Sequence, residues 1–363
     1  MSSCYGEKIK VSVFGQSHGQ AIGVTIDGMP AGEAVDLVKL KNFTDRRKPG
    51  KSKLETARKE SDEPQFLSGI ENGMICGAPI CAVIYNRDAK SSDYSEISKI
   101  MRPSHADYTA FVKYGGSADM RGGGHFSGRL TAPLCIAGGI AMQILEKRGI
   151  SVKGRIFSIG GIKDVGLDMA DTRPSDFERI DDVNFPVFDK KAESEMKAAI
   201  EKAREQIDSV GGIVECFVFG MPCGAGAPMF EGMEGKIASA VFGIPGVKGV
   251  EFGSGFGGSD MTGSQNNDEF YVKDGQIKTY TNNSGGILGG ISTGMPIVFR
   301  AAFKPTPSIG KAQRTVDVEK MENVTLELKG RHDPCIAVRA VPCVEAAAAL
   351  AVLDILMQDG FIR

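Results

Sequence analysis

The alternation of apolar and polar residues along the chain predicts a small set of β-strands. Short runs rich in Val, Ile and Phe, bounded by Gly, Pro, Asp or Asn, are typical of strands. Four such runs occur, at 21–27, 79–85, 213–219 and 296–303.

Longer stretches with a helical period predict three helices, at 131–148, 190–208 and 341–358. The stretch 190–208 is amphipathic and strongly charged, which predicts a surface helix. The other two are apolar nearly all round, which predicts helices buried inside the molecule. Four further segments are rich in Gly and polar residues and predict loops: 40–62, 115–128, 253–268 and 304–315.

A weak internal repeat favours a fold of two similar halves. The first predicted strand runs into "DGMPAG" and the third into "FGMPCGAG", and Arg129 and Arg339 each lie close to a predicted buried helix. Chance recurrence of a common turn is the alternative. Mixed strands and helices indicate an α+β protein, and no linker-like composition divides the chain, so residues 1–363 are expected to form one domain.

Composition indicates an ordinary soluble protein. The chain has 363 residues, of which 42% are hydrophobic and 24% charged, and a net charge of −2 argues against a general nucleic-acid binder. The eight cysteines form no CxxC pair, which favours reduced, buried thiols over disulfides or a zinc site. No signal peptide and no apolar run of about 18 residues is apparent, so a cytoplasmic protein without membrane spans is expected.

The four histidines all lie in glycine-, proline- or serine-rich contexts rather than in helical patterns. They are His18 in "FGQSHGQ", His105 in "MRPSHADY", His125 in "RGGGHFSGR" and His332 in "KGRHDPC". A single histidine is usually structural, but four in loops with arginines nearby indicate proton chemistry.

Basic residues crowd the same segments, notably 46–59, 121–129 and 329–331. Guanidinium groups match phosphate and carboxylate geometry, so a small polyanionic ligand fits better than a solvated basic face or nucleic acid. The absence of HxH, HExxH or clustered Cys/His spacing makes a metal site improbable. The residues alone thus indicate an enzyme that handles a phosphorylated, carboxylated metabolite with histidine acid–base catalysis.

Three segments in order closely resemble the signatures of the chorismate synthase family. They are "GQSHGQAIGVTIDGMP" at 15–30, "GHFSGRLTAPLCIAGGI" at 124–140 and "RHDPCIAVRAVPCVEAAAA" at 331–349. Supporting blocks include "DRRKPGKSK" at 45–53, "RPSHADYTAFVKYGG" at 102–116 and "KPTPSI" at 304–309. The resemblance covers nearly the whole chain.

The resemblance implies a lyase that converts 5-enolpyruvylshikimate 3-phosphate to chorismate by anti-1,4-elimination of phosphate and a ring proton, the last common step of the shikimate pathway. It also implies dependence on reduced FMN, with NADPH as a candidate reductant. The implied fold is a β-α-β sandwich with internal pseudo-symmetry, and the implied assembly is a homotetramer.

The same resemblance implies roles for individual residues. His18 would protonate the leaving phosphate, His105 would lie near the flavin ring, and Asp333 would manage the proton at the flavin N5. The implied FMN residues are His125, Phe126, Ser127, Pro245, Gly246, Gly289, Lys304, Pro305, Thr306, Pro307, Ser308 and Arg331. Anion contacts to substrate are implied for Arg47, Arg102, Arg129 and Arg331, and NADP contacts for Arg46, Arg47 and Lys53.

One stretch departs from the family pattern. Where the family usually has "RGGGRSSAR", this chain has "RGGGHFSGR", so that His125 replaces an arginine and Phe126 a serine. The loss of a permanent charge puts one flavin or substrate contact in doubt. A flavin- or nucleotide-binding protein without catalysis is an alternative function, against which the intact His18, His105 and Asp333 count. A non-flavin phosphatase is a third, but no nucleophile or metal constellation supports it.

Overall fold

The structure is a computed structural model that describes residues 3–50, 62–86, 99–181, 183–328 and 333–362. The first half of the chain forms β1 Cys4–Tyr5, β2 Lys10–Gly15, β3 Ala21–Asp27, α1 Leu37–Arg47, β4 Gln65–Ser68, β5 Ile70–Glu71, β6 Met74–Ile75, β7 Ile80–Tyr85, α2 Asp107–Tyr114 and α3 Thr131–Glu146. The second half forms β8 Ser151–Ile159, β9 Ile162–Lys163, α4 Lys190–Glu205, β10 Gly212–Phe219, α5 Met233–Phe242, β11 Val247–Phe252, α6 Gly263–Asn266, β12 Phe270–Lys273, β13 Gln276–Thr279, β14 Ile287–Leu288, β15 Ile291–Ser292, β16 Ile297–Phe303, β17 Gln313–Asp317, β18 Glu322–Leu326 and α7 Ala337–Gln358.

Two five-stranded antiparallel sheets enclose a helical layer. The first sheet has the strand order β1-β2-β3-β7-β4, and the second has the order β11-β16-β10-β8-β9. Helix α3 packs on the first sheet, α7 packs on the second, and the two helices pack on each other. The layers are therefore sheet, helices, sheet, as the implied β-α-β sandwich requires.

The two halves repeat the same topology, which confirms the internal pseudo-symmetry. The order β2-β3-α1-β4-β7-α3 in the first half corresponds to β8-β10-α5-β11-β16-α7 in the second. The spatial orders β2-β3-β7-β4 and β8-β10-β16-β11 also correspond.

The repeated "GMP" turns occupy equivalent places in the two halves. Gly28 and Gly220 follow β3 and β10 with φ angles of +83° and +76°, a region that favours glycine. A Cβ at either position would overlap a backbone carbonyl oxygen, of Lys8 at 2.0 Å and of Gly149 at 2.1 Å. Each of these oxygens lies just before the first long strand of its half. The recurrence in the sequence is therefore structural.

Close contact between the central helices depends on small residues. A Cβ on Gly138 of α3 would lie 2.3 Å from the Cα atom of Ala346 on α7. Alanines fill the facing stretch of α7, and Ala346, Ala347, Ala348 and Ala349 are completely buried. Small side chains let the two backbones approach, so that both sheets are covered by one helical layer.

Helix α7 and the helical run Arg121–Glu146 are long and apolar enough to cross a membrane by composition alone. The most apolar 18-residue stretch has a mean hydropathy of 2.0 in α7 and 1.3 in Arg121–Glu146. The molecule itself buries 94% and 83% of these stretches, as expected for core helices.

The predicted strands are confirmed, each beginning within about one residue of its expected position, and so are the three helices. The prediction of a loop across 40–62 was wrong in its first part, because α1 continues to Arg47. Asp36 caps that helix through hydrogen bonds from the Val38 and Lys39 amides, a local signal that the charge-rich composition obscured. Helix α7 begins at Ala337 rather than at 341, and Pro342 lies inside it.

The expectation of buried thiols is right for only part of the set. All eight cysteines are free; Cys135, Cys216, Cys335 and Cys343 are buried, whereas Cys4, Cys76 and Cys223 are exposed.

Candidate active site

A cavity of about 1380 Å³ lies where the glycine-rich stretch meets the start of α7. Its walls come from the end of α1, the turn before α2, the stretch 121–129, the segments 245–246 and 304–308, and α7. Nearly all of these segments are turns or helix ends, placed by the two sheets and the central helices.

The glycine triplet Gly122, Gly123 and Gly124 separates two of the predicted catalytic histidines. All three glycines have positive φ angles, +59°, +91° and +55°, so the backbone turns without side chains. A Cβ on Gly122 would lie 2.2 Å from Nδ1 of His18, and one on Gly123 would lie 3.3 Å from Nε2 of His105. Bare backbone is therefore needed to bring both imidazoles against one loop.

His105 belongs to a compact charged network with two neighbours in sequence. Its Nδ1 lies 2.7 Å from Oδ1 of Asp107, within hydrogen-bond distance, and the Arg102 guanidinium donates to both Asp107 oxygens at 2.7 Å. Burial alone would raise the pKa of the Asp107 carboxyl, but the hydrogen bonds from Arg102 and His105 hold it well below its usual range. The Asp107 carboxylate is thus an ionised acceptor behind the imidazole.

Both ring nitrogens of His125 contact protein atoms. Its Nδ1 donates to the carbonyl oxygen of Gly15 at 2.8 Å, and its Nε2 accepts from the Ser3 hydroxyl at 2.6 Å. The residue lines the cavity, but its polar atoms fasten the N-terminal strand to the glycine-rich stretch.

Two of the predicted anion-binding arginines share one buried carboxylate. Arg47 donates to Oδ2 of Asp62 at 2.9 Å, and Arg129 donates to Oδ1 at 2.7 Å. Arg47 also donates to Thr131 and to the carbonyl of Gly128, so each of its three nitrogens has a protein partner. These contacts fix the guanidinium planes along the cavity wall.

Arg46, predicted to contact NADP, points elsewhere. Its guanidinium makes a bidentate ion pair with Glu345 on α7, at 2.7 and 3.1 Å, and it is absent from the cavity lining. The Glu345 side chain also accepts from the Gly154 amide at 2.8 Å. Burial raises the pKa of the Glu345 carboxyl, while Arg46 opposes the rise. The structure places Arg46 in a structural ion pair that joins α1, α7 and β8.

Asp333 lines the cavity and pairs with Arg339. The guanidinium of Arg339 donates to Oδ2 of Asp333 at 2.6 Å and to the carbonyl oxygen of Arg47 at 3.0 Å. The predicted neighbours of Asp333, Arg331 and His332, lie outside the described residues, as does Lys53.

Asp119 and Arg121 form a further ion pair on the cavity rim, with the Arg121 guanidinium 2.7 Å from Oδ2 of Asp119. The hydrogen bond from Arg121 lowers the pKa of the Asp119 carboxyl, and His18 adds to the effect. Five arginines around the cavity are therefore held by four carboxylates, and Lys304 adds another cation. This positive balance suits an anionic ligand.

The segment 304–308 lies opposite the glycine-rich stretch. The Lys304 ammonium donates to the Ser104 carbonyl, and partial burial together with Lys248 lowers the pKa of that ammonium. Ser308 accepts from Arg102 at 3.4 Å. The Thr306 hydroxyl oxygen is buried and has no hydrogen-bond partner in the described part of the chain.

Most of the remaining predicted flavin residues also meet at this cavity. Phe126 lines it and contacts Tyr114, with ring centroids 6.4 Å apart. Others along the wall are Ser127, Pro245, Gly246, Pro305 and Pro307. Gly289 does not line it; this glycine lies in the turn between β14 and β15.

Three carboxylates of the site escaped the sequence analysis: Asp107, Asp62 and Asp119. Asp107 stands two positions after His105, and this spacing could have drawn attention to it. Asp62 carries no local signal, since only tertiary folding brings it between Arg47 and Arg129.

Similarity to known proteins covers the whole fold. A sequence model described as chorismate synthase matches residues 9–357. The chain is 46% identical to a chorismate synthase of Dehalococcoides mccartyi, covering 100% of this chain and 98% of the relative. It is 48% identical to a chorismate synthase of Thermococcus kodakarensis, covering 99% of both chains.

A solved chorismate synthase structure has a TM-score of 0.77 and 25% identity, covering 98% of this chain and 93% of the other. Sequence, topology and the cavity agree: the chain belongs to the chorismate synthase family and has the lyase function of that family.

Proposed function

We propose that the cavity around His18, His105 and Asp333 carries out the 1,4-elimination of phosphate from 5-enolpyruvylshikimate 3-phosphate. The observation that carries this proposal is the meeting of all three side chains in one cavity, with two histidines held on the glycine triplet. In the reaction a ring C–H bond and the C–O bond to phosphate break, a second ring double bond forms, and no net oxidation occurs.

Residues at different positions around the cavity have different roles in this reaction. The His18 imidazole donates a proton to the departing phosphate, a general-acid role that histidine side chains commonly serve. Arg102 and Arg129, held by Asp107 and Asp62, orient the phosphate and carboxylates of the substrate. Asp333, held by Arg339, accepts the proton that the reaction releases.

The described residues fit reduced FMN, the cofactor of this family. The cavity exceeds the range of about 300–1,000 Å³ that suffices for one small ligand. The buried Thr306 hydroxyl lacks a protein partner within the described ranges, as expected where a ligand completes the site. When bound, reduced FMN supplies an electron-rich ring that promotes loss of the phosphate.

Phe126, Ser127, Lys304 and Thr306 would hold that group along the cavity walls, with Gly246 giving close backbone approach. Further flavin residues of the proposal are His125, Pro245, Gly289, Pro305, Pro307, Ser308 and Arg331. His125 would contribute through its ring face, since both nitrogens are engaged.

The source of reducing equivalents is either NADPH or an external reductant. Arg46 pairs with Glu345 and does not line the cavity, which favours flavin reduction outside this protein. Turnover in air with NADPH and FMN alone, at a rate matching chemically reduced flavin, would overturn this choice.

We propose the following domain organisation, location, partners and oligomeric state for the enzyme. The chain acts as one domain over 1–363, in the cytoplasm, without nucleic acid, membrane or metal partners, and as a homotetramer. Support for assembly comes from strongly exposed apolar side chains in the second half: Met229, Phe230, Phe256, Phe270, Val272 and Ile277.

The test is direct. Purified protein with chemically reduced FMN and 5-enolpyruvylshikimate 3-phosphate should release inorganic phosphate and form chorismate. His18→Ala should lower kcat by about 10²–10⁴, the usual contribution of a general acid. Lys190→Ala, on the exposed surface of α4, is the matched control. Near-normal turnover of His18→Ala would remove His18 from the mechanism.

A further inference from the structure

We propose that Asp107 is a positioning residue that holds His105 with its proton on Nδ1, so that Nε2 is the nitrogen presented to the cavity. The catalytic part of this inference rests on the proposed function, whereas the statement about the imidazole tautomer does not.

The Asp107 carboxylate is built into the base of α2 as a four-fold acceptor. Oδ2 accepts from the Arg102 backbone amide at 3.1 Å and from its Nε at 2.7 Å. Oδ1 accepts from Arg102 Nη2 at 2.7 Å and from His105 Nδ1 at 2.7 Å. The side chain is 8% exposed, so water competes little for these contacts.

The tautomer follows from the inventory of donors. An ionised carboxylate only accepts hydrogen bonds, so the 2.7 Å contact requires a proton on Nδ1 of His105. Arg102 Nη2 lies 3.2 Å from the same nitrogen, but a guanidinium only donates and cannot partner a protonated Nδ1. In the neutral ring the lone pair is therefore on Nε2.

Nε2 is the ring nitrogen that does not contact Asp107, and it lies 3.3 Å from the position that a Cβ on Gly123 would take. The bare backbone of Gly123 lies against it, and His105 itself lines the cavity. A proton can therefore be exchanged at Nε2 while Nδ1 remains fixed, much as a buried carboxylate orients the histidine of a hydrolase triad.

A purely structural role for Asp107 is the competing explanation, since an acidic residue in the first turn stabilises a helix. The substitution Asp107→Asn distinguishes a helix-stabilising role of Asp107 from its role in positioning His105. Arg102 can only donate, so the amide oxygen of the asparagine should turn toward Arg102 and accept its hydrogen bonds. The amide nitrogen would then face His105 and donate to it. Nδ1 would then have to accept, and the proton would move to Nε2.

Nitrogen NMR of protein labelled at histidine shows directly which ring nitrogen of His105 carries the proton. The measurement needs neither flavin nor substrate, and the chain has only four histidines to assign. At a pH where the ring is neutral, we expect His105 protonated on Nδ1 in the native chain and in Asp107→Glu, but on Nε2 in Asp107→Asn. A native His105 protonated on Nε2, or an unchanged tautomer in Asp107→Asn, would overturn the inference. If Asp107→Asn does not fold, the native chain and Asp107→Glu still decide the tautomer.

Kinetics test whether the tautomer matters. Asp107→Asn should lower kcat by about 10²-fold or more while FMN affinity changes by less than about tenfold. The double variant Asp107→Asn/His105→Ala should be no slower than His105→Ala alone, because Asp107 acts through His105. If the two substitutions lowered kcat by the product of their separate effects, Asp107 would not act through His105.

Asp208→Asn is the matched control, since it removes a half-buried carboxylate that pairs with Lys311 outside the cavity. Absence of chorismate formation by the native chain would reject the proposed function, whereas the NMR result would still decide the inference.

Discussion

Single residues in this site are organised by carboxylates that immobilise cations. Asp62 holds Arg47 and Arg129, Asp107 holds Arg102 and His105, and Asp333 holds Arg339. Each long, flexible side chain is thereby fixed before a ligand arrives, which lowers the entropy lost on binding. Arg47, Arg102 and Arg129, which the sequence singled out as anion clamps, are thus preorganised.

Arg46→Met tests whether that residue serves the fold or a ligand. We expect a loss of about 3–5 kcal/mol of unfolding free energy, because Glu345 would remain buried without its partner. Chemical denaturation measures the loss, and Arg46→Met/Glu345→Met should recover most of it. A stable Arg46→Met with weakened NADPH binding would instead support the implied NADP contact.

At the scale of elements, glycine decides how closely backbones and side chains approach. The triplet at 122–124 admits two imidazoles, and Gly138 lets α3 and α7 meet at backbone distance. Apolar periodicity in the sequence predicted both α3 and α7. The contact between them depends on the face of α3 that carries Gly138. That face is defined only when the partner helix is in place.

Gly138→Ala and Gly139→Ala form a matched pair on α3. Alanine favours a helix by about 1 kcal/mol at both positions. At Gly138 the added Cβ would meet the backbone of Ala346, whereas at Gly139 it would meet the movable side-chain ends of Leu40 and Phe43.

Gly138→Ala should therefore be less stable than Gly139→Ala by about 1–3 kcal/mol, the usual cost of overpacking. Thermal and chemical denaturation of the pair measure the difference. Equal stability would show that α3 and α7 separate without cost.

Over the whole molecule, two topologically equivalent halves place the cavity at one end of a shared helical layer. The glycine triplet and the turn before α2 come from the first half, while 245–246, 304–308 and the start of α7 come from the second. Loss of either half would therefore dismantle the site.

Acid should destabilise the whole molecule. Several carboxyls have their pKa lowered by hydrogen bonds and ion pairs in the folded state: Glu33, Asp45, Asp107, Asp119, Glu193, Asp208 and Asp268. A carboxyl whose pKa is lower in the folded chain than in the unfolded chain stabilises the fold at any pH above its unfolded pKa of about 4. That stabilisation is lost as the pH falls toward the pKa of the folded chain.

We therefore expect Tm to fall steeply below about pH 4. Asp268 makes a defined contribution, because its carboxylate accepts from Thr281 and from the Asn283 and Ser284 amides. Asp268→Asn should lower Tm at neutral pH and flatten its acid dependence, as differential scanning calorimetry can show. A Tm unchanged from pH 6 to pH 3 would contradict the assignment.

Assembly is also a property of the whole molecule. Phe230 is 91% exposed and its neighbour Met229 is 83% exposed, and adjoining exposed apolar side chains are typical of protein–protein contact surfaces. If the native chain forms the proposed homotetramer, Phe230→Asp should shift the mass measured by light scattering from a tetramer to smaller species. Met321→Asp is the control, because Met321 is an exposed apolar residue flanked by the charged residues Lys320 and Glu322 on the turn between β17 and β18. A native monomer would refute the proposed homotetramer.

The sequence by itself determined four of the strands, the buried helices, the family and the cluster of candidate residues, because periodicity and motif spacing are local properties. Only the tertiary structure decided that α1 continues through Arg46, that Arg46 pairs with Glu345, and that Gly289 lies outside the cavity lining. It also brought Asp62 between two arginines and aligned Asp107 behind His105. Ion-pair partners depend on distances between segments far apart in the chain, and local patterns do not contain those distances.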